Sequence, residues 1–221
     1  MFPPIVSKST PITLLGGGEV TLDTLSEALT LAPTLVACDG GVKFALENNT
    51  QPVAVIGDMD SIDAGSRAEI GADRLFEVAE QDTTDFEKAL LRCEAPLMLG
   101  VGFTGARLDH ELAAFSALAK HDSKVVILIG GEDVVFRAPK TLRLDLSIGT
   151  RFSLFPMGNL RGTSEGLRWP IDGVEFAPHG RIGTSNEVSG PVILTFDAPH
   201  MLVILPREAL RSVMDALYSA A

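Results

Sequence analysis

Three short segments carry the side chains best suited to chemistry, and each lies where an apolar run ends or a helix begins. Gly57-Asp58-Met59-Asp60-Ser61 sets two carboxylates two residues apart, just past the apolar run Val53–Ile56. In an extended chain that spacing turns both to one side. Carboxylates aimed together repel unless a cation lies between them, and Mg²⁺ is the hard cation that such oxygen pairs hold beside phosphates. The plainer alternative is a turn with solvated aspartates and Ser61 as a helix cap. In Gln81-Asp82-Thr83-Thr84-Asp85-Phe86-Glu87-Lys88, Thr84 and Glu87 match a capping box, with Asp85 in the first helical turn. Capping accounts for those residues but not for Asp82, and a helix N-terminus can also receive a phosphate or an attacking hydroxyl. Gly102-Phe103-Thr104-Gly105-Ala106-Arg107-Leu108-Asp109-His110 is a glycine-bearing loop that leads into a helix with Leu108, Leu112 and Phe115 on its apolar face. Arg107 can grip a phosphate with two N–H groups. Asp109 either joins the acidic cluster or stabilises the helix start. His110 is given no role.

Other segments say less by themselves. Asp39-Gly40-Gly41 and Gly16-Gly17-Gly18 are glycine turns after apolar runs, which let a nucleotide approach the backbone closely. No Gly-rich loop ends in Lys-Ser/Thr, and no G-x-G-x-x-G opens the first helix, which argues against P-loop kinases and dinucleotide dehydrogenases. Late in the chain, Gly166-Leu167-Arg168-Trp169-Pro170 holds the sole tryptophan, by default a core residue, and Gly183-Thr184-Ser185-Asn186-Glu187 is by default a turn.

The elements that must position these residues follow from periodicity. Ile12–Leu15, Leu35–Cys38, Val53–Ile56, Leu97–Val101 and Val125–Ile129 are short apolar runs, each followed by Gly or Asp and alternating with helical stretches. That pattern predicts buried parallel strands with crossover helices, whose ligands gather beyond the carboxyl ends of the strands. After Lys140 the period changes to two: Leu142, Leu144 and Leu146 alternate with polar residues, and so do Phe152 and Leu154. The expected fold is α/β: a Rossmann-like parallel-sheet domain over 1–135, then a small antiparallel β-sandwich over 140–221. Residues 130–139 are expected as the linker. Leu210, Val213, Met214 and Leu217 line one face of a terminal helix.

Composition narrows the partners. The chain has 221 residues and a net charge of −11, a sign that repels nucleic acid. An acidic protein that handles phosphate must supply positive charge locally, by metal or helix N-termini. Cys38 and Cys93 show no metal spacing and read as reduced core residues. No apolar run approaches membrane-spanning length and no secretory signal is visible, so the expectation is a soluble cytoplasmic protein.

Taken in order, the Asp-Gly-Gly turn, Gly-Asp-x-Asp-Ser, Thr-Asp-Phe-Glu, Arg-x-Asp-His, Gly-Leu-x-Trp and Gly-Thr-Ser-Asn-Glu motifs make a chain that resembles thiamin pyrophosphokinases from about Ile12 to Leu205. The resemblance implies diphosphoryl transfer from Mg·ATP to thiamin, with AMP leaving, in a homodimer with sites between subunits. It implies Asp58, Asp60 and Asp85 at the metal and transferring phosphates, and Thr84 and Asp109 completing that centre. Asp39, Gly40, Gly41, Gln81, Asp82, Gly105 and Arg107 would place nucleotide or substrate; Trp169, Ser185 and Asn186 would contact thiamin. Ala106 stands where that family usually has glycine, and its methyl is expected to tighten the loop or force φ below zero. Two other readings stay open: an ATP-dependent transferase acting on another small alcohol, and a catalytically silent sensor of nucleotide or thiamin diphosphate.

Overall fold

The computed structural model describes residues 3–220. The chain divides into two compact units. One holds the described residues up to Ala117 together with Leu128–Gly131; the other holds Leu118–Ile127 and the chain from Glu132 onward. Its β structure is mixed, parallel in the first unit and antiparallel in the second.

In chain order the first part carries β1 (Val6–Ser7), β2 (Ile12–Leu15), α1 (Leu22–Leu31), β3 (Thr34–Cys38), α2 (Gly41–Glu47), β4 (Ala54–Gly57), α3 (Ala64–Ile70), β5 (Leu75–Glu77), α4 (Asp85–Arg92), β6 (Cys93–Glu94), β7 (Met98–Val101), α5 (Leu108–Lys120) and β8 (Val126–Ile129). The apolar runs become strands because they are enclosed on both faces: all of β2, β4 and β7 is buried. Strands β7, β2, β3, β4 and β5 lie side by side in that order, all parallel, with Ile12 opposite both Met98 and Thr34. The chain moves outward from β2 through β5, then returns to the other side of β2 as β7. That reversal makes a topological switch point beside β2, where open parallel sheets receive ligands. Cys38 and Cys93 are both buried, and burial pushes the Cys38 thiol well up.

The second part carries β9 (Asp133–Arg137), β10 (Thr141–Leu144), β11 (Arg151–Pro156), β12 (Leu160–Leu167), β13 (Glu175–Phe176), β14 (Gly183–Phe196), β15 (Met201–Pro206) and α6 (Leu210–Ala220). The stretch expected as a linker therefore contains a strand: Val134, Val135 and Phe136 are buried in β9, which pairs with β15. Their apolar run is short and flanked by Gly and Pro, which masked it in the sequence. The alternation after Lys140 is realised, with Leu142, Leu144, Phe152 and Leu154 all buried. The Gly183–Glu187 segment, read as a turn, is instead the start of β14, which pairs first with β11 and further on with β10 and β12. Helix α6 buries Leu210, Val213 and Leu217. No helix among the described residues is long and apolar enough to cross a membrane.

Candidate active site

The acidic centre begins where β4 ends. Met59 adopts a left-handed backbone (φ 66) and is 3% exposed, packed among Ala37, Val42, Val55, Ile62 and Ile70. Arg67 fixes the turn, donating to the carbonyls of Ile62 and Met59. With Met59 turned inward, the aspartates on either side are presented together. Asp39 arrives from the end of β3, and only a glycine at position 57 allows it: a Cβ there would lie 2.7 Å from the Asp39 Cβ. Asp39, Asp58 and Asp60 can each offer one oxygen, all within 4.8 Å of one another. Ser61 does not cap α3, because Asp63 does so, accepting from the Gly65 and Ser66 N–H groups at 2.8 and 3.0 Å. Ser61 instead donates its N–H to Asp39 Oδ2 at 3.3 Å and its hydroxyl to Asp60 at 2.9 Å.

Asp39 is 2% exposed, and its Oδ1 is buried with no hydrogen-bond partner. Burial raises its pKa above the usual carboxylate range, bonds from Ser61 pull the other way, and Asp85 and Asp58 raise it further. An all-oxygen triad with one orphaned buried oxygen fits Mg²⁺.

Helix α4 supplies the opposing charge. Thr84 caps it, accepting from the Glu87 N–H at 3.3 Å. One turn on, Lys88 Nζ lies 3.3 Å from Asp58 Oδ2 and 3.1 Å from Asp85 Oδ1, with its side chain 2% exposed. Burial alone would lower the Lys88 pKa, but Asp85 and then Asp58 outweigh it and raise it. Burial alone would raise Asp58; the Asp60 N–H, Lys88 and Gln81 together hold it below the usual range. Gln81 contributes through Nε2, 3.3 Å from Asp58 Oδ2. Asp85 is thus held by Lys88, and Asp39 is the third member of the converging triad. Sequence reasoning missed Lys88 as the local cation. It also missed Glu80, which holds the loop by accepting from the Asp82 and Thr83 N–H groups at 2.7 and 3.1 Å.

A cavity of ≈ 420 Å³ joins these parts. It is lined by the Gly16–Gly18, Asp39-Gly40 and Gly102-Phe103 turns, by Gly105, Ala106 and Arg107, and by Asp58, Gln81, Thr84, Asp85 and Lys88. The Phe103 ring packs on Phe86 with centroids 4.4 Å apart. Gly41, Asp60, Asp82 and Asp109 are not among the lining residues. Asp109 is paired with Arg107 at 2.6 Å, both side chains 66% exposed. Arg107 holds the Asp109 carboxyl below its usual range. Leu108 and Leu112, expected on an apolar face, are exposed at 69% and 56%. Ala106 keeps φ at +54 despite its methyl, so the expected shift to negative φ does not occur.

A second cleft, of ≈ 330 Å³, lies in the other unit and brings together Trp169, Ser185 and Asn186 with Ile171, Val174, Phe176, Arg181 and Ile182. Trp169 is not a core residue: it is 52% exposed, just beyond the end of β12. Its N–H donates to Asn186 Oδ1 at 3.1 Å, and Asn186 Nδ2 donates to its carbonyl at 2.7 Å. Ser185 sits at φ 60, its N–H donating to Ser153 Oγ at 3.0 Å.

Comparison with known proteins agrees with both halves. Residues 25–129 match the family model "Thiamin pyrophosphokinase, catalytic domain", and residues 140–201 match "Thiamin pyrophosphokinase, vitamin B1 binding domain". Thiamine pyrophosphokinase 1 of Arabidopsis thaliana is 29% identical over 164 residues, 66% of this chain and 61% of that protein. Thiamine pyrophosphokinase 1 of Oryza sativa subsp. japonica is 31% identical over 157 residues, 62% of this chain and 60% of that protein. The matches thus span about three-fifths of the length of these curated relatives. The thiamin pyrophosphokinase of Candida albicans shares the fold, with a TM-score of 0.73 at 15% identity over 91% of each chain. With both of its halves matched in order, the chain belongs to the thiamin pyrophosphokinase family.

Proposed function

We propose that this protein transfers the diphosphoryl group of ATP to the hydroxyl of thiamin, giving thiamin diphosphate and AMP. The observation that carries the reading is the Asp39–Asp58–Asp60 triad with buried Lys88 beside it, at the carboxyl ends of a parallel sheet. Phosphoryl transfer depends chiefly on positioning and on neutralising charge; the triad would supply the second by holding a cation, and Lys88 would help fix the carboxylates that hold it.

Asp58, Asp60 and Asp39 would hold Mg²⁺, with Asp85 at its edge beside Lys88. Bound there, Mg²⁺ would neutralise and orient the phosphate oxygens. The Lys88 ammonium, paired with both Asp58 and Asp85, holds their oxygens in place. The Thr84 hydroxyl, which accepts from Glu87, still has its own proton to donate toward a phosphate oxygen. Backbone at Gly40, Gly41 and Gly105 would lie against the nucleotide, with Gln81, Asp82 and Arg107 around it and Asp109 orienting Arg107. The thiamin hydroxyl oxygen bonds to the β-phosphorus and gives up its proton to solvent, the bond from that phosphorus to the oxygen it shares with the α-phosphorus breaks, and AMP departs with that oxygen.

In the second cleft, Trp169 would stack on thiamin while Ser185 and Asn186 provide polar contacts. The same reading carries the domains: a Rossmann-like nucleotide domain over 1–135 and an antiparallel β-sandwich over 140–221. The ladders that β14 makes with β11 and, further on, with β10 and β12 support the sandwich. It also carries a cytoplasmic homodimer with each site shared between subunits. The test is whether purified protein consumes ATP only when Mg²⁺ and thiamin are both present.

A further inference from the structure

Trp169 is the chain's one tryptophan, and its ring is half exposed. A ring in that position turns among rotamers unless neighbours fix it. The two bonds to Asn186 hold its backbone, but they do not determine where the indole points. The ring has a separate partner. The Arg168 guanidinium carbon lies 4.8 Å from the ring centroid. The same guanidinium reaches both Glu187 oxygens, at 3.4 and 3.3 Å, and the Arg168 N–H donates to the Glu187 carbonyl at 2.8 Å. With side chains 57% and 38% exposed, this ion pair adds little to stability. Its geometric effect is to hold a flat cation over a flat ring, an arrangement that arginine makes and lysine does not reproduce.

We propose that Arg168, anchored by Glu187, is a positioning residue that covers one face of the Trp169 indole and fixes its angle, leaving the opposite face for a flat ring of the ligand. The ring-fixing part stands on geometry alone; the ligand part rests on the thiamin reading of this cleft. The order of the chain supports the arrangement. Arg168 and Trp169 follow β12, while Asn186 and Glu187 lie in β14, the strand that pairs with β12. Each member of one adjacent pair therefore fixes the matching member of the other.

Because no other tryptophan contributes, the fluorescence of the ligand-free protein reports this indole directly. The variants are Arg168→Met, which keeps most of the apolar stem, and Arg168→Lys, which keeps the charge without the plane. Steady-state anisotropy and acrylamide quenching report ring mobility, thermal melting reports folding, and thiamin KM and kcat report function. Arg168→Met is expected to lower anisotropy and raise quenching with an unchanged Tm. Thiamin KM should rise roughly two- to fivefold, with kcat held within about twofold. Arg168→Lys should recover less than half of the anisotropy. Unchanged anisotropy and quenching in Arg168→Met would overturn the ring clamp. A lowered Tm with kcat falling alongside KM would also overturn it, in favour of a structural role. A loosened ring with an unmoved thiamin KM would leave the clamp standing and overturn the ligand part.

Discussion

Lys88 Nζ, carried by α4, lies 3.3 Å from Asp58 Oδ2 at the end of β4, with the lysine side chain 2% exposed. A chain of net charge −11 thus sets a buried cation among the carboxylates of this cavity. The lysine also ties the helix to the strand. Asp58 is thereby fixed from two sides, by its own turn and by α4.

Replacing Lys88 with Met should leave Asp58 and Asp85 facing each other without a counter-charge. Breaking a fully buried pair costs about 3–5 kcal/mol; the carboxylates here keep some exposure, so a cost of about 1–3 kcal/mol is expected. The signs with pH are opposite for the two partners. Asp58, held below its usual range, contributes stability above its unfolded value that is lost as pH falls through its folded value. Lys88, held above its usual range, contributes stability below its unfolded value that is lost as pH rises through its folded value. Thermal melts from acid to alkaline pH should show both flanks weakened in Lys88→Met. Wild-type melting at every pH would show that the pair carries nothing.

Asp39→Asn should act in the opposite direction. Burial holds Asp39 above its usual range, so its ionised form costs the folded state stability at neutral pH, and that cost fades as pH falls through the folded value. Asparagine keeps an acceptor for the Ser61 N–H and removes the charge. Removing an unfavourable charge of this kind gains about 0.5–2 kcal/mol, and for a chain of this size each kcal/mol is worth roughly 2–4 °C in Tm. The same variant should bind Mg²⁺ at least about tenfold more weakly by calorimetry. A lower Tm with unchanged Mg²⁺ affinity would make Asp39 a structural residue instead.

Ala106 tests the backbone of the loop that leads into α5. An alanine at φ +54 pays about 1 kcal/mol against glycine for its left-handed backbone, while glycine loses about as much through unfolded-state entropy. Ala106→Gly should therefore leave Tm nearly unchanged, and Ala106→Val should destabilise by about 1–3 kcal/mol. A destabilising glycine with a tolerated valine would place the residue at negative φ.

The sequence exposed the parts of this arrangement that are local. Ile12–Leu15 is β2 end to end because each of its side chains is enclosed, and a buried parallel strand needs no alternation to be recognised. The pairing of Asp58 with Asp60 was readable because it depends on a spacing of two. Lys88 was not, since a lysine three residues after Asp85 looks like a solvated helix pair, and its burial depends on β4. Asp39 was hidden in an ordinary turn because its approach to Asp58 depends on a glycine eighteen positions away, Gly57. Trp169 ran against the rule that large aromatics are buried. Its exposure depends on where β12 stops and on how Asn186 reaches across from β14, and both are set by strand pairing.

Attack at the β-phosphorus, rather than the γ-phosphorus, is decided by the identity of the nucleotide product. Purified protein incubated with ATP, Mg²⁺ and thiamin, then resolved by chromatography, should release one AMP for each thiamin diphosphate formed, with no ATP consumed when thiamin is omitted. Release of ADP in step with thiamin monophosphate, or ATP consumption that ignores thiamin, would contradict it.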